Sequence, residues 1–176
     1  MDQAQAETQM AQPRRQASKV EGTLEGTRIL VVEARYYEDI AEALLSGAKR
    51  AFEKAQVSFD LVTVPGALEI PQAIAITLDV AQARHKPYDG AVALGCVIRG
   101  ETSHYDIVAG ESARALMDLA VALRVPIGNG ILTVDTQAQA LSRARPEQGN
   151  KGGWAVDAAL SLVRLKRSFS NPRDRR

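Results

Sequence analysis

The chain has 176 residues and a mass of 19.0 kDa, which is the size of one ordinary domain. Its hydrophobic residues (45%) and charged residues (24%) are in the balance typical of a globular protein with a real core. The net charge of +1 predicts neither a nucleic-acid nor a membrane partner. The single cysteine excludes a disulfide framework and a multi-cysteine metal site, and two histidines are too few for a His-rich metal site.

Both ends of the chain are predicted to be tails that flank one folded domain at residues 21–167. Residues 1–20 are rich in Gln, Ala, Ser and charge, and hold too little apolar surface to offset the entropy of ordering. Residues 168–176 are a basic C-terminal tail, typical of a solvated helix end; binding of an acidic partner is the alternative. Because no stretch has the length and apolarity of a transmembrane helix or a signal peptide, we expect a cytoplasmic protein.

Between the tails, strand-length apolar runs alternate with segments whose apolar residues recur at helical spacing. The predicted order is strand 28–34, helix 37–55, strand 57–64, helix 67–84, strand 89–98, helix 107–123, strand 126–134, helix 136–143 and helix 154–165. This alternation predicts a parallel sheet covered by helices on both faces. The expected fold class is therefore α/β, a flavodoxin-like three-layer α/β/α sandwich with a four-stranded parallel sheet.

Candidate site residues follow the strands, because sheets of this kind bind ligands beyond the carboxyl ends of their strands. Tyr36 follows the first strand, where its ring could stack on a planar ligand or pack the next helix. Gly66 follows the second strand and permits a tight turn, which brings Glu69 to the same edge. The Glu69 carboxylate could accept hydrogen bonds from polyol hydroxyls or complement a helix dipole.

The third strand is followed by the strongest local signal, the segment 95–104. A glycine followed by small hydroxyl residues and a helix makes an anion cradle from backbone N–H groups. His104 stands beside that cradle, and an imidazole exchanges protons near neutral pH; a helix cap with a surface histidine is the alternative. Cys96 is interpreted as a small core residue rather than a nucleophile. Arg143 and Lys151, further along, are either phosphate ligands or ordinary exposed cations.

Four segments then carry a family resemblance: GALEIP at 66–71, GCVIRGETSHYD at 95–106, NGILT at 129–133 and GNKG at 149–152. In this order and at these intervals they resemble the 6,7-dimethyl-8-ribityllumazine synthase family, whose members catalyse the penultimate step of riboflavin biosynthesis. The resemblance covers roughly residues 27–167, the whole predicted folded part.

The resemblance implies a cofactor-free condensation of 5-amino-6-(D-ribitylamino)uracil with 3,4-dihydroxy-2-butanone 4-phosphate. The pyrimidine amine attacks the ketone to give an imine, phosphate leaves, the ring closes and water is lost. The rate would come from holding two substrates in order, together with proton transfer. Two alternatives stay open: a catalytically idle shell or flavin-binding protein on the same fold, and an archaeal-type riboflavin synthase.

The family's functional positions map onto thirteen residues of this sequence. In the family, one histidine transfers protons and one aromatic residue, more often Phe or Trp than the Tyr36 found here, covers the pyrimidine. A neighbouring subunit supplies the residue that corresponds to Asn129, which is commonly Phe. The implied catalytic residue is His104. The implied substrate-binding residues are Tyr36, Ala67, Leu68, Glu69, Cys96, Val97, Ile98, Glu101, Thr102, Asn129, Arg143 and Lys151. The resemblance implies that Glu101 and Thr102 belong to the phosphate cradle and that Arg143 pairs with the phosphate.

The resemblance also implies a homo-oligomer, because the family's site lies between neighbouring subunits. We expect at least a pentamer, with riboflavin synthase as a candidate partner. The apolar stripe of helix 107–123, which includes Leu116, Leu119 and Leu123, is the candidate central contact; packing on its own sheet is the alternative. The intact GNKG turn, without insertion, favours an icosahedral 60-mer of twelve pentamers slightly over a free pentamer or decamer.

Overall fold

The computed structural model of the protein describes residues 22–170. The predicted tail 1–20 lies outside the described residues, and so do residues 171–176 of the predicted C-terminal tail. Strands and helices follow one another in the predicted order: β1 (Arg28–Ala34), α1 (Glu38–Ala55), β2 (Ser58–Val64), α2 (Glu69–Ala83), β3 (Gly90–Ile98), α3 (His104–Leu123), β4 (Ile127–Val134), α4 (Gln137–Ala144) and α5 (Lys151–Ser170).

Two helices are longer than their apolar periodicity predicted. Helix α3 begins at His104 rather than at residue 107, and α5 runs from Lys151 to Ser170 rather than over 154–165. Periodicity marks only the part of a helix where large apolar side chains pack on the core, so an exposed turn, or a buried turn built from Gly152 and Gly153, leaves no signal. The earlier start of α3 places His104 in its first turn, at the edge of the sheet.

The four strands form one parallel sheet in the order β2-β1-β3-β4, which confirms the predicted fold class. Val31 of β1 pairs with Leu61 of β2 on one side and with Val92 of β3 on the other. Ala93 of β3 pairs with Asn129 of β4, which is an edge strand. Because all four strands run the same way, the segments that follow them meet at one edge, called here the carboxyl edge.

Side chains on the two faces of the sheet belong to separate cores, as the alternating pleat requires. On one face, Val31 and Val92 pack with Phe52 of α1 and Val156 of α5. A neighbouring cluster on that face joins α4 to α1 and to the ends of β3 and β4. On the other face, Val32 packs with residues of α2 and α3, among them Ile74 and Leu116. The sheet is therefore the middle of three layers.

Close packing explains the glycines of β4 and α5. A Cβ at Gly128 of β4 would lie 1.9 Å from the backbone oxygen of Ala155, so α5 approaches the strand at backbone distance. A Cβ at Gly152 would lie equally close to the backbone oxygen of Leu44 in α1. Glycines that look like helix breakers in the sequence therefore allow the first turn of α5 to wedge between β4 and α1.

Two of the three leucines in the stripe predicted on α3 pack on the chain's own sheet, while the contact between subunits stays a prediction. Leu116 is buried in the core of that face and Leu119 is half-buried, while Leu123 at the end of the helix is exposed. A different set of apolar side chains is exposed on this helix: Ile107, Met117, Val121 and Leu123.

Polar side chains close the opposite edge of the sheet, called here the amino edge. The Arg28 guanidinium donates to Asp60 and to the Tyr88 hydroxyl (3.1 Å), and it lies 4.2 Å from the centre of the Tyr88 ring. The Asp89 carboxylate accepts from the Arg28 backbone N–H (2.9 Å) and from Arg167 near the end of α5 (3.0 Å). Hydrogen bonds from Tyr88 and then from Arg28 lower the pKa of the Asp60 carboxyl.

Candidate active site

A cavity of about 430 Å³ opens at the carboxyl edge of the sheet. The segments that follow β1, β2 and β3 all contribute to its wall, as the rule for parallel sheets predicts. Nine of the thirteen predicted site residues line it: Tyr36, Ala67, Leu68, Glu69, Cys96, Val97, Ile98, Thr102 and His104.

The turn between β1 and α1 contains two tyrosines, one exposed and one half-buried. Tyr36 is 75% exposed, and its ring meets Tyr37 edge-on with centroids 5.0 Å apart. Tyr37 is half-buried and packs against the cluster that contains Ile40 and Leu44, and burial raises the pKa of its hydroxyl. Tyr37 thus packs the helix, and Tyr36 leaves a ring face available at the cavity.

The turn between β2 and α2 places a carboxylate at the cavity wall. Glu69 is the first residue of α2, and its backbone N–H donates to the Gly66 carbonyl at 3.2 Å. A Cβ at Gly66 would lie 2.9 Å from the Glu69 carboxylate oxygen, so the glycine leaves room for that side chain. Within residues 22–170 the carboxylate has no side-chain hydrogen bond. It is therefore available to ligand hydroxyls.

The end of β3 supplies a strip of three residues to the cavity, Cys96, Val97 and Ile98. Burial, with a smaller contribution from the charge of Asp39, raises the pKa of the Cys96 thiol to about 11. At neutral pH the thiol is therefore protonated, which agrees with its interpretation as a packing residue rather than a nucleophile.

The loop between β3 and α3 carries the predicted anion cradle. Gly100, Thr102 and His104 line the cavity, and α3 begins at His104. Ser103, directly before the helix, makes no side-chain cap, and the Thr102 hydroxyl only weakly accepts from the His104 backbone N–H at 3.4 Å. The exposed imidazole of His104 has no hydrogen-bond partner in the described part of the chain. A helix N-terminus and an available imidazole therefore face the same cavity.

Arg99 connects the β3–α3 loop to α3 and to the end of β4. Its guanidinium donates to Asp106 in α3 and to Asp135 after β4, both at 3.3 Å, and lies 4.0 Å from the centre of the Tyr105 ring. The Arg99 backbone N–H donates to the Val134 carbonyl at 2.9 Å. These contacts set the direction in which α3 leaves the sheet.

Four predicted residues lie outside the cavity of the single chain. Glu101 is exposed in the β3–α3 loop. Asn129 lies on the edge strand β4, where its side-chain oxygen accepts from the Ile131 N–H at 2.9 Å. The Arg143 guanidinium donates to the Gln139 carbonyl within α4 at 3.0 Å, and the Lys151 ammonium lies 4.4 Å from the centre of the Trp154 ring.

Comparison with known proteins decides the family. The family model described as 6,7-dimethyl-8-ribityllumazine synthase matches residues 26–167. The chain belongs to the 6,7-dimethyl-8-ribityllumazine synthase family. This confirms the resemblance carried by the four sequence segments.

Similar relatives within the lumazine synthase family carry the same name. A 6,7-dimethyl-8-ribityllumazine synthase of Methylorubrum extorquens (strain PA1) is 65% identical over 146 residues, which cover 83% of this chain and 84% of the relative. A synthase of Azorhizobium caulinodans is 58% identical over 90% of this chain and 98% of its own length. A third, named 6,7-dimethyl-8-ribityllumazine synthase 1 and from Rhodopseudomonas palustris, is 56% identical over 92% of this chain and 99% of its own length.

Three further side chains line the cavity that were not predicted as site residues: Tyr37, Tyr105, which belongs to the segment 95–106, and Val108. Tyr105 and Val108 lie in the first turns of α3, which begins earlier than its periodicity indicated. An earlier helix start would have placed both at the carboxyl edge. Tyr37 adjoins Tyr36, but only the packing of α1 decides which of the two rings turns inward.

Residues 22–170 contain no group of three or more histidine, cysteine or carboxylate side chains arranged to hold a metal ion. None of the helices in that part of the chain combines the length and apolarity needed to span a membrane.

Proposed function

We propose that this protein is a transferase that condenses 5-amino-6-(D-ribitylamino)uracil with 3,4-dihydroxy-2-butanone 4-phosphate to give 6,7-dimethyl-8-ribityllumazine, phosphate and water. The observation that carries the proposal is one cavity, lined by nine of the thirteen predicted site residues, in a chain that matches the lumazine synthase family over residues 26–167. The reaction is the penultimate step of riboflavin biosynthesis. A cytoplasmic location and a complex with riboflavin synthase belong to the same proposal.

The pyrimidine substrate occupies the part of the cavity between β1, β2 and β3. A flat heteroaromatic ring favours an aromatic face on one side, which Tyr36 offers. The strip Cys96–Ile98 offers backbone groups to the polar edge of the ring. Glu69 accepts hydrogen bonds from ribityl hydroxyls, since a carboxylate acceptor binds hydroxyl donors more strongly than a neutral one does.

The phosphorylated ketone occupies the part of the cavity at the start of α3. Backbone N–H groups of the β3–α3 loop, the Thr102 hydroxyl and the first turn of a 20-residue helix favour a phosphate there. The pyrimidine amine attacks the ketone carbon, and water is lost as the imine forms. Phosphate then leaves, and water is lost again when the ring closes. His104 lies within this region and moves protons between the attacking amine and the leaving oxygen atoms.

A neighbouring subunit completes the site in this proposal. Asn129, Arg143 and Lys151 lie on β4, α4 and α5, away from the cavity that their own chain forms. Two sets of exposed apolar side chains, on different helices, support a head-to-tail contact. One belongs to α2 and α3 and contains Ile76, Met117 and Val121; the other belongs to α5 and contains Trp154, Leu162, Leu165 and Phe169.

Head-to-tail contacts between unlike surfaces close into rings when the rotation permits. We therefore propose a pentamer, with closure into a 60-mer shell slightly favoured over a free pentamer or decamer. Light scattering and negative-stain imaging at neutral pH test the assembly. Uniform rings without hollow shells would leave the pentamer and overturn the shell, and a monomer would overturn both.

One assay tests the reaction. The purified protein is mixed with both substrates, and the fluorescence of the lumazine product is followed over time. We expect lumazine to form faster than in a protein-free control. An idle shell or flavin-binding protein would not raise the rate. An archaeal-type riboflavin synthase would consume added lumazine instead of forming it.

Arg143→Ala tests the proposed phosphate partner. Because a guanidinium binds phosphate through paired charge-assisted hydrogen bonds, the KM for the phosphorylated ketone is expected to rise while the KM for the pyrimidine stays unchanged. Arg145→Ala, a nearby exposed arginine, is the control. If both KM values of the Arg143 variant equal those of the wild type, Arg143 is not the phosphate partner.

A further inference from the structure

The one charged side chain that is buried among residues 22–170 lies on β1, two residues before Arg35, and takes no part in the proposed chemistry. Glu33 of β1 is only 2% exposed. A buried carboxylate is costly unless it is paired and hydrogen-bonded. The Arg35 guanidinium donates to both of its oxygens, at 3.1 and 3.3 Å, and the Thr63 hydroxyl of β2 donates to it at 3.1 Å.

The same guanidinium also contacts α1. Arg35 donates to Glu38 from two nitrogens, at 3.0 and 3.1 Å, and to Glu42 at 3.1 Å. The two glutamates are four residues apart and therefore lie on one face of the helix. Arg35 thus joins β1, the buried carboxylate and the first two turns of α1. The hydrogen bonds that Arg35 donates to Glu33, Glu38 and Glu42 raise its pKa further above its ordinary value, so the bridge stays cationic.

Arg35 directly precedes Tyr36, the ring that the proposed function sets against the pyrimidine. Within residues 22–170 the Tyr36 hydroxyl has no hydrogen-bond partner, and the ring is 75% exposed. Apart from the edge-on contact with Tyr37, the side chain therefore does little to hold Tyr36 in place. The backbone between Arg35 and Glu38 orients it, and the Arg35 guanidinium ties the two ends of that backbone together.

We infer that Arg35 is a positioning residue for the pyrimidine substrate: its bridge from Glu33 to Glu38 and Glu42 holds the β1–α1 turn so that the Tyr36 ring already faces the cavity. The inference rests on the proposed function. A ring that is in place before binding loses little conformational freedom when the ligand arrives, whereas a mobile turn must be ordered by the ligand at the expense of affinity.

Steady-state kinetics of Arg35→Met test the inference. We expect the KM for the pyrimidine to rise about tenfold, while kcat and the KM for the phosphorylated ketone stay within about twofold. Arg35→Lys is expected to recover only part of the loss, because an ammonium is a single point of charge and cannot bridge three carboxylates as a planar fork does.

A second variant keeps the test decisive if Arg35→Met fails to fold with Glu33 left unpaired. The double variant Glu38→Gln/Glu42→Gln weakens the bridge to α1 and leaves the buried Glu33–Arg35 pair intact. We expect the KM for the pyrimidine to rise in the same direction, by a few-fold. Arg28→Met is the matched control: Arg28 is an arginine of the same strand that binds a β2 carboxylate at the amino edge. Its loss should lower the melting temperature and leave both KM values unchanged.

A double-mutant cycle with Tyr36→Ala separates positioning from general stabilisation. If Arg35 acts through the Tyr36 ring, Arg35→Met has no further effect on the KM for the pyrimidine in the Tyr36→Ala background. Additive effects on that KM, equal changes in both KM values, or a lower melting temperature with unchanged kinetics would overturn the inference. A wild-type protein that forms no lumazine would overturn the proposed function, and this inference with it.

Discussion

The two edges of the sheet use similar residue types in opposite ways. At the amino edge, polar side chains form hydrogen bonds with one another or with the neighbouring backbone; they belong to Arg28, Asp60, Tyr88, Asp89 and Arg167. At the carboxyl edge, the side chains of Tyr36, Glu69 and His104 line a cavity and have no hydrogen-bond partner among the described residues. The amino edge is a closed polar network, and the carboxyl edge is an open one.

This difference separates stability from function. Polar groups that satisfy each other contribute to the free energy of folding, whereas groups that point unpaired into a cavity are available to a ligand. Substitutions at the amino edge should therefore change stability and leave kinetics unchanged. Substitutions at the carboxyl edge should do the reverse. Two arginines at the carboxyl edge are nevertheless paired, Arg99 with two aspartates and Arg35 with three glutamates. Arg35 directly precedes Tyr36, and the kinetic experiment above tests whether this paired residue affects substrate binding.

His104→Ala should have the largest effect on the open edge. A positioned proton-transfer group contributes on the order of 10²–10⁴-fold, and the lower end is expected here because holding the two substrates in order supplies part of the rate. Turnover should fall on the order of 10²-fold. The KM for the pyrimidine and the melting temperature should stay close to wild type. His85→Asn is the control, because His85 is an exposed histidine in the connection between α2 and β3. Asparagine is chosen because His85 has a positive φ, which asparagine tolerates well. Wild-type turnover in the His104 variant would remove this residue from the mechanism.

Asp89→Ala should have the largest effect on the closed edge. The substitution leaves the Arg28 backbone N–H and the Arg167 guanidinium without their half-buried partner. Unfolding in urea should show a loss of about 2 kcal/mol. Turnover measured per folded protein should stay at the wild-type value. Asp79→Ala on the exposed surface of α2 is the control for the loss of a carboxylate. A change in KM without a change in stability would contradict the separation of the two edges.

Glu69→Gln distinguishes the two interpretations of that carboxylate. If it binds ribityl hydroxyls, the neutral amide is a weaker acceptor and the KM for the pyrimidine rises about tenfold. If it only complements the N-terminus of α2, the melting temperature falls slightly and the KM stays unchanged. Kinetics and thermal unfolding of one preparation decide between them. The kinetic outcome is the expected one, because Glu69 lines the cavity.

The hydrogen bonds of Asp60 to Tyr88 and Arg28 should make a small contribution to stability that is lost at acidic pH. Because the hydrogen bonds from Tyr88 and Arg28 lower the pKa of Asp60 in the folded protein, they favour the carboxylate. Their contribution is fully present above the ordinary pKa of an aspartate and is lost as the pH falls through the lowered value. For an exposed pair it is below about 1 kcal/mol. Asp60→Asn should melt below wild type at pH 6, and the gap should narrow as the pH approaches 3. A constant gap would assign the loss to packing.

The sequence alone determined the order and type of the elements, because strands buried on both faces and amphipathic helices leave patterns of different period. The run at 28–34 coincides with β1. Nine of the residues named from the strand ends or from the family resemblance line one cavity, since parallel strands end at one edge, and their roles stay a prediction. The start of α3 and the first turn of α5 were missed. In both places an exposed turn or a pair of glycines hides the helix.

Only the tertiary structure decided which polar side chains pair. Nothing in the run at 28–34 marks Glu33 as buried or Arg35 as its partner, because that pairing depends on α1 folding back against β1 so that Glu38 and Glu42 reach the same guanidinium. The choice of Tyr36 over Tyr37 as the exposed ring follows from the same packing. Local patterns reflect contacts along the chain, whereas these arrangements arise from contacts between elements that approach each other only in the folded protein.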